Sequence, residues 1–228
     1  MVTFERNYRV LTACLAALAA SAVAYSVLFP GPVPLSTAVI RDALILAVLG
    51  VIAEEMAVEV SDRVTLAAGN LPILLAVMFT GRLPAMLVAL LVGLWGCWRE
   101  NSRAVAAYNA ADFVVSAFLA LLAFDGIVAA FGVSLQSASV GLLAAATAAA
   151  AVFEATNNAV VSVGMYVKYG KRLREFWRQE MPPFLRSLAM LALLGLVVVA
   201  LYAKAGIIAV VLFFVPLLAS QYLSLIHI

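Results

Sequence analysis

The sequence predicts an all-α polytopic membrane protein of about eight hydrophobic helices, with both termini on the same side of the bilayer. Three observations predict it. The 228 residues are 66% hydrophobic and only 11% charged, with a mean hydropathy of +1.12. A soluble domain carries roughly 25% charged and about 45–50% apolar residues, so a water-exposed fold of this length is excluded. The apolar stretches are long and unbroken rather than alternating, which excludes the strands of an outer-membrane barrel and leaves helices. Lys and Arg, finally, concentrate in alternate loops.

Eight apolar segments run near residues 10–29, 37–57, 66–80, 84–98, 105–131, 139–167, 185–203 and 205–222. The first follows Arg6 and Arg9 and holds small residues at Ala20–Ala24, as a signal peptide would. Its run of about twenty apolar residues exceeds the typical 7–15 of a cleaved signal, so an uncleaved anchor is expected. The third and fourth segments, about fifteen residues each, fall short of the roughly twenty a straight span needs. They flank Thr80–Pro84 (TGRLP) and read either as thin, tilted spans or as a hairpin that dips in and returns.

With the N-terminus inside, the cytoplasmic loops hold Arg6, Arg9, Arg63, Arg99, Arg103, Lys168, Lys171, Arg172, Arg174, Arg178 and Arg186. The outer side holds only Arg41, Arg82 and Lys204. The positive-inside rule therefore predicts cytoplasmic N- and C-termini in a bacterial inner membrane. Residues 168–187 alternate basic with apolar side chains and stop at Pro182-Pro183. Lys168, Lys171, Arg172, Arg174, Trp177 and Arg178 thus read as a basic amphipathic segment lying on the anionic inner surface. Cys14 and Cys97 lie in apolar runs, without the spacing of a disulfide or metal site, and no cofactor is called for.

Polar side chains within apolar helices are costly and usually face the bundle interior. Asn109 and Asp112 share one face of the fifth segment; Glu154, Asn157 and Asn158 share one face of the sixth. Two readings are open: a polar pocket for a ligand, a cation or protons, or amides gluing helices together. The small side chains of Gly141–Ala151 let another helix approach closely. Glu54 and Glu55, with Glu59, Asp62 and Arg63, read as a solvated acidic end of the second helix, and Asp125 as an interfacial residue needing no account. A Glu-Glu pair also occurs in intramembrane proteases of the CPBP class. Those require histidines on other helices, and the one histidine here is His227. No nucleotide-binding, HExxH or GxSxG motif is present, so the fragment is not expected to be an enzyme.

The short helices around LAAGNLPILLAVMFTGRLPAMLVALLVG, a helix opening YNAAD, a helix with a late Asn157-Asn158 pair, a basic turn ending EFW and closing helices ending FVPLLAS form a pattern. Over roughly residues 37–222 it resembles the N-terminal membrane region that precedes HD-GYP phosphodiesterase or GGDEF diguanylate cyclase domains in bacterial signalling proteins. The resemblance implies a sensor or anchor that feeds a cytoplasmic cyclic-di-GMP enzyme, and it supplies no catalytic residue. The final LSLIHI (Leu223–Ile228) resembles the translation of a sequencing-adapter read. Residues 1–222 are accordingly expected to be a single membrane domain and 223–228 a non-native tail on a truncated chain; the alternative is a genuine short C-terminus. The expected partners are the lipid bilayer, a small-molecule or membrane-borne ligand, and a second copy of the chain, but no nucleic acid. The rival reading is a small-molecule transporter or substrate-binding membrane subunit.

Overall fold

The computed structural model describes residues 2–55, 58–61, 64–66, 69–98, 102–134, 139–170, 174, 178 and 195–226. They form α1 (Val2–Leu28), α2 (Thr37–Glu55), a hairpin of β1 (Val58–Ser61) and β2 (Val64–Leu66), α3 (Asn70–Phe79), α4 (Arg82–Trp98), α5 (Arg103–Phe131), α6 (Val140–Tyr169), α7 (Gly195–Ala205) and α8 (Ile207–Ile226). Among the described residues, three helices, α1, α5 and α6, are long and apolar enough to cross a membrane by themselves. Apart from the short antiparallel hairpin, the regular elements among the described residues are all helices.

Helix α5 is the hub, packing against α1, α3, α4 and α6. Small residues set the close approaches. On α6, Ala145, Ala146 and Ala149 are buried, as the Gly141–Ala151 run predicts. At the α4–α5 crossing, a Cβ on Gly93 would lie 2.7 Å from the Ala110 Cα, so only glycine lets the two backbones come this near. Ser139 caps α6, its hydroxyl accepting from the Leu142 N–H at 3.2 Å.

The third and fourth segments depart from the expectation of two similar helices. Helix α3 has only 10 residues, α4 has 17. At 1.5 Å per residue α3 is about 15 Å long, half the roughly 30 Å hydrocarbon core. Gly69, Asn70 and Pro72 punctuate the chain, and the proline is tolerated because it stands in the first turn. Every residue from Leu71 to Phe79 is buried. A helix apolar all round belongs in an interior, and α3 lies against α2, α4, α5 and α6. Gly81, at φ +82°, makes the turn into α4.

Other boundaries differ as well. The second helix is described as far as Glu55, residues 56 and 57 lie outside the described residues, and Glu59 falls in β1 instead of on the helix. Asp62 and Arg63 lie outside the described residues. The seventh segment is described only from Gly195, and Gly206, at φ +67°, separates α7 from α8. Helix α8 carries Pro216 within it and continues to Ile226, past the expected domain end at 222.

Candidate functional site

The short helix α3 brings its N-terminus to a carboxylate inside the bundle. Glu154 lies midway along α6 and is only 3% exposed. The Asn70 amide, on the first residue of α3, donates to its Oε1 at 3.0 Å. A helix N-terminus carries free N–H groups and the positive end of the helix dipole, so it favours the negative charge beside it. Glu54, from the end of α2, flanks the same N-terminus: a Cβ at Gly69 would run into its carboxylate. Two carboxylates from different helices thus meet the start of α3.

Asp112 on α5 extends this polar layer. It is 2% exposed and accepts from the Ser116 hydroxyl at 3.0 Å. Asn158 spends its amide on its own helix, donating to the Glu154 carbonyl at 2.6 Å, and Ser162 does the same to the Asn158 carbonyl. Asn157 is half-buried on α6. Beside Asn70 and Glu154, Leu71, Leu74, Ala150 and Val199 line a narrow apolar slot between α3, α6 and α7. Its volume of about 20 Å³ admits roughly one water molecule.

The five residues expected to share one pocket divide. Asp112 and Glu154 belong to the buried layer. Asn109 lines a separate cleft between α1, α5 and α6, with Tyr8, Tyr108 and Lys168. The physical reason is rotation and depth. Asn109 sits opposite Val161 and Met165, a turn beyond Asn158, where the Tyr108 hydroxyl also donates to the Val160 carbonyl at 2.5 Å. Of the basic segment, Lys168 is half-buried at the end of α6, while Arg174 and Arg178 are helical and exposed. Lys171, Arg172 and Trp177 lie outside the described residues.

Sequence reasoning passed over several partners. Asn70 carried one signal, an amide two residues ahead of a proline that opens an apolar run. Glu54 was read as solvated, but it is half-buried against Gly69, whereas the exposed Glu55 accepts from the Trp95 indole at 3.1 Å. Asp125 is not an idle interfacial residue: the Arg82 guanidinium donates twice to its Oδ2, at 2.8 and 3.0 Å. Arg82 also donates to the Phe29 carbonyl at 3.1 Å and lies over the Tyr25 ring at 5.7 Å, joining α1, α4 and α5. Asp42 on α2 accepts from the Tyr202 hydroxyl of α7 at 2.8 Å, and that ring stacks on Phe79 of α3 at 4.0 Å.

Fold and site define a helical membrane protein with a buried carboxylate–amide layer around one short internal helix. The chain belongs to MASE9, a membrane-associated sensory domain family, whose model matches residues 37–226. Comparison with curated proteins and with solved structures gives no match.

Proposed function

We infer that this chain is the membrane input module of a bacterial signalling protein. Its N- and C-termini face the cytoplasm, and α8 leads to an output domain of cyclic-di-GMP phosphodiesterase or cyclase type. The chain contributes sensing, and the catalysis belongs to that output domain. The observation that carries the reading is the Asn70–Glu154 bond within a chain of a sensory family. A signal requires two arrangements of the bundle that differ in ligand affinity. Asn70 couples α3 to α6, and α3 touches α2, which in turn packs on α8. A small-molecule or membrane-borne ligand that competes for Glu154 would free α3 and pass a displacement to the last helix.

Charge placement supports the orientation. Phe29, Arg82 and Asp125 meet at one end of the bundle, while Tyr8, Tyr108 and Lys168 gather at the other. The test is a long-read sequence of the source DNA across the codon for Tyr222. A frame that runs on into an HD-GYP or GGDEF domain is the expected result. A genomic stop within a few codons removes the signalling reading.

One observation favours a transporter as the second reading. Discontinuous helices whose N-termini meet charge at mid-membrane are a device of transporter sites, and α3 has that form. Specific uptake into vesicles, abolished by Glu154→Gln, would select it.

A further inference from the structure

The cleft between α1, α5 and α6 is separate from the buried layer. Tyr8, Tyr108, Asn109, Val161, Met165 and Lys168 line a space of about 220 Å³, an order of magnitude larger than the slot beside Glu154. Its floor is fixed. The Tyr108 hydroxyl is committed to the Val160 carbonyl, and its ring lies so close to Gly164 that a Cβ there would sit 2.8 Å from it. Tyr8, 5% exposed, packs against that ring with centroids 5.3 Å apart.

Within this rigid floor stands one cation. The Lys168 ammonium lies over the Tyr8 ring at 5.5 Å and the Tyr169 ring at 4.8 Å. Among the described residues no carboxylate pairs with it. Two tyrosine faces hold the ammonium in place without neutralising it. The half-buried Asn109 adds an amide to the same cleft. Arg6 and Arg103 stand exposed near the starts of α1 and α5 and add positive potential, while the exposed Arg9 is paired with Glu5 on its own helix. Held cation, amide donor, roomy volume and positive surroundings are complementary to an anion with several acceptor oxygens.

We propose that this cleft binds a phosphate group of net negative charge, with Lys168 and Asn109 as its donors. The sources that offer that chemistry at a helix end are an anionic phospholipid headgroup and a free phosphate ester. The inference stands whether or not the Glu154 layer is the sensing site, because the two spaces share no side chain.

The experiment titrates the full chain, purified in a neutral detergent, with phosphatidylglycerol, phosphatidylcholine and inorganic phosphate. Bound molecules are counted by native mass spectrometry. Preference for phosphatidylglycerol over phosphatidylcholine assigns a lipid headgroup; binding of inorganic phosphate that displaces the lipid assigns the site to phosphate itself. Lys168→Ala weakens either interaction by about tenfold, the loss of one charge-assisted contact. Lys168→Arg retains it. Val161→Trp fills the cleft, leaves the cation in place and also abolishes binding, which separates loss of the site from loss of the fold. Equal occupancy by all three probes overturns the proposal, as does unchanged binding in folded Lys168→Ala or Val161→Trp protein.

Discussion

Asn70 and Glu154, eighty-four positions apart in sequence, share a hydrogen bond of 3.0 Å that ties the start of the 10-residue α3 to the middle of the 30-residue α6. The carboxylate is buried, so its donor matters more than an exposed one would. Removing one partner of a buried polar pair leaves the other desolvated, at a cost of about 1–3 kcal/mol. Asn70→Ala is therefore expected to lower the unfolding midpoint in detergent. Glu154→Gln keeps an acceptor opposite the Asn70 amide and should cost less. A double-mutant cycle on Asn70→Ala and Glu154→Ala reads the coupling directly. Independent, additive losses would mean that the two side chains do not act on each other.

Gly69 gives a second test of the same layer. The Glu54 carboxylate occupies the space that any side chain at Gly69 would need. Gly69→Ala should destabilise by about 1–3 kcal/mol, the usual cost of forcing bulk into a packed site. Shortening the obstructing side chain with Glu54→Ala should recover most of that loss in the double variant. Thermal unfolding of the four proteins decides it. A destabilisation of Gly69→Ala that persists in the Glu54→Ala background would trace instead to the backbone of the turn.

The helices were legible in the sequence because apolar length and charge breaks are local signals. Val10–Phe29, residues 105–131 and residues 139–167 fall within or against α1, α5 and α6 for that reason. The true extent of α3 was not legible, because Leu66 and the residues after it continue an apolar run whatever their conformation. Only Gly69, Asn70 and Pro72 mark the break, and each alone is a weak signal. Helical periodicity put Asp112 and Glu154 on interior faces and could not rank their neighbours. Whether Asn109 faced the same space depended on how far α5 is rotated and shifted along α6. The pairings of Asp125 with Arg82 and Asp42 with Tyr202 span 43 and 160 positions, and no local pattern encodes them. A charge read as interfacial by position proved to be a clasp by geometry.

That clasp is measurable. The Arg82 and Asp125 side chains are 18% and 23% exposed, between the surface pairs that contribute little and the buried pairs whose disruption is severe. Asp125→Ala should therefore cost about 1–3 kcal/mol of stability, measured as a lowered midpoint in detergent. Arg82→Ala should cost more, because it also loses the Phe29 carbonyl and the Tyr25 ring. The exchange Arg82→Asp with Asp125→Arg restores the ion pair alone and should recover only part of the loss. Equal effects of the two alanine variants would show that the contacts of Arg82 to α1 add nothing.

Orientation is the remaining prediction, and it follows from the charges. With cytoplasmic termini, the connection between α1 and α2 faces outward and the residues after α6 face inward. In a Cys14→Ser, Cys97→Ser background, a cysteine at the exposed Pro32 should react with a membrane-impermeant maleimide in intact spheroplasts. A cysteine at the exposed Arg174 should react only after the membrane is opened. The reverse pattern would invert the molecule and carry α8 to the outside, and a cytoplasmic output domain could not then follow it. Labelling at both positions in intact spheroplasts would require an even number of crossings between them. The short α3 would then have to be placed differently from α4, since about 15 Å of helix cannot cross the hydrocarbon alone.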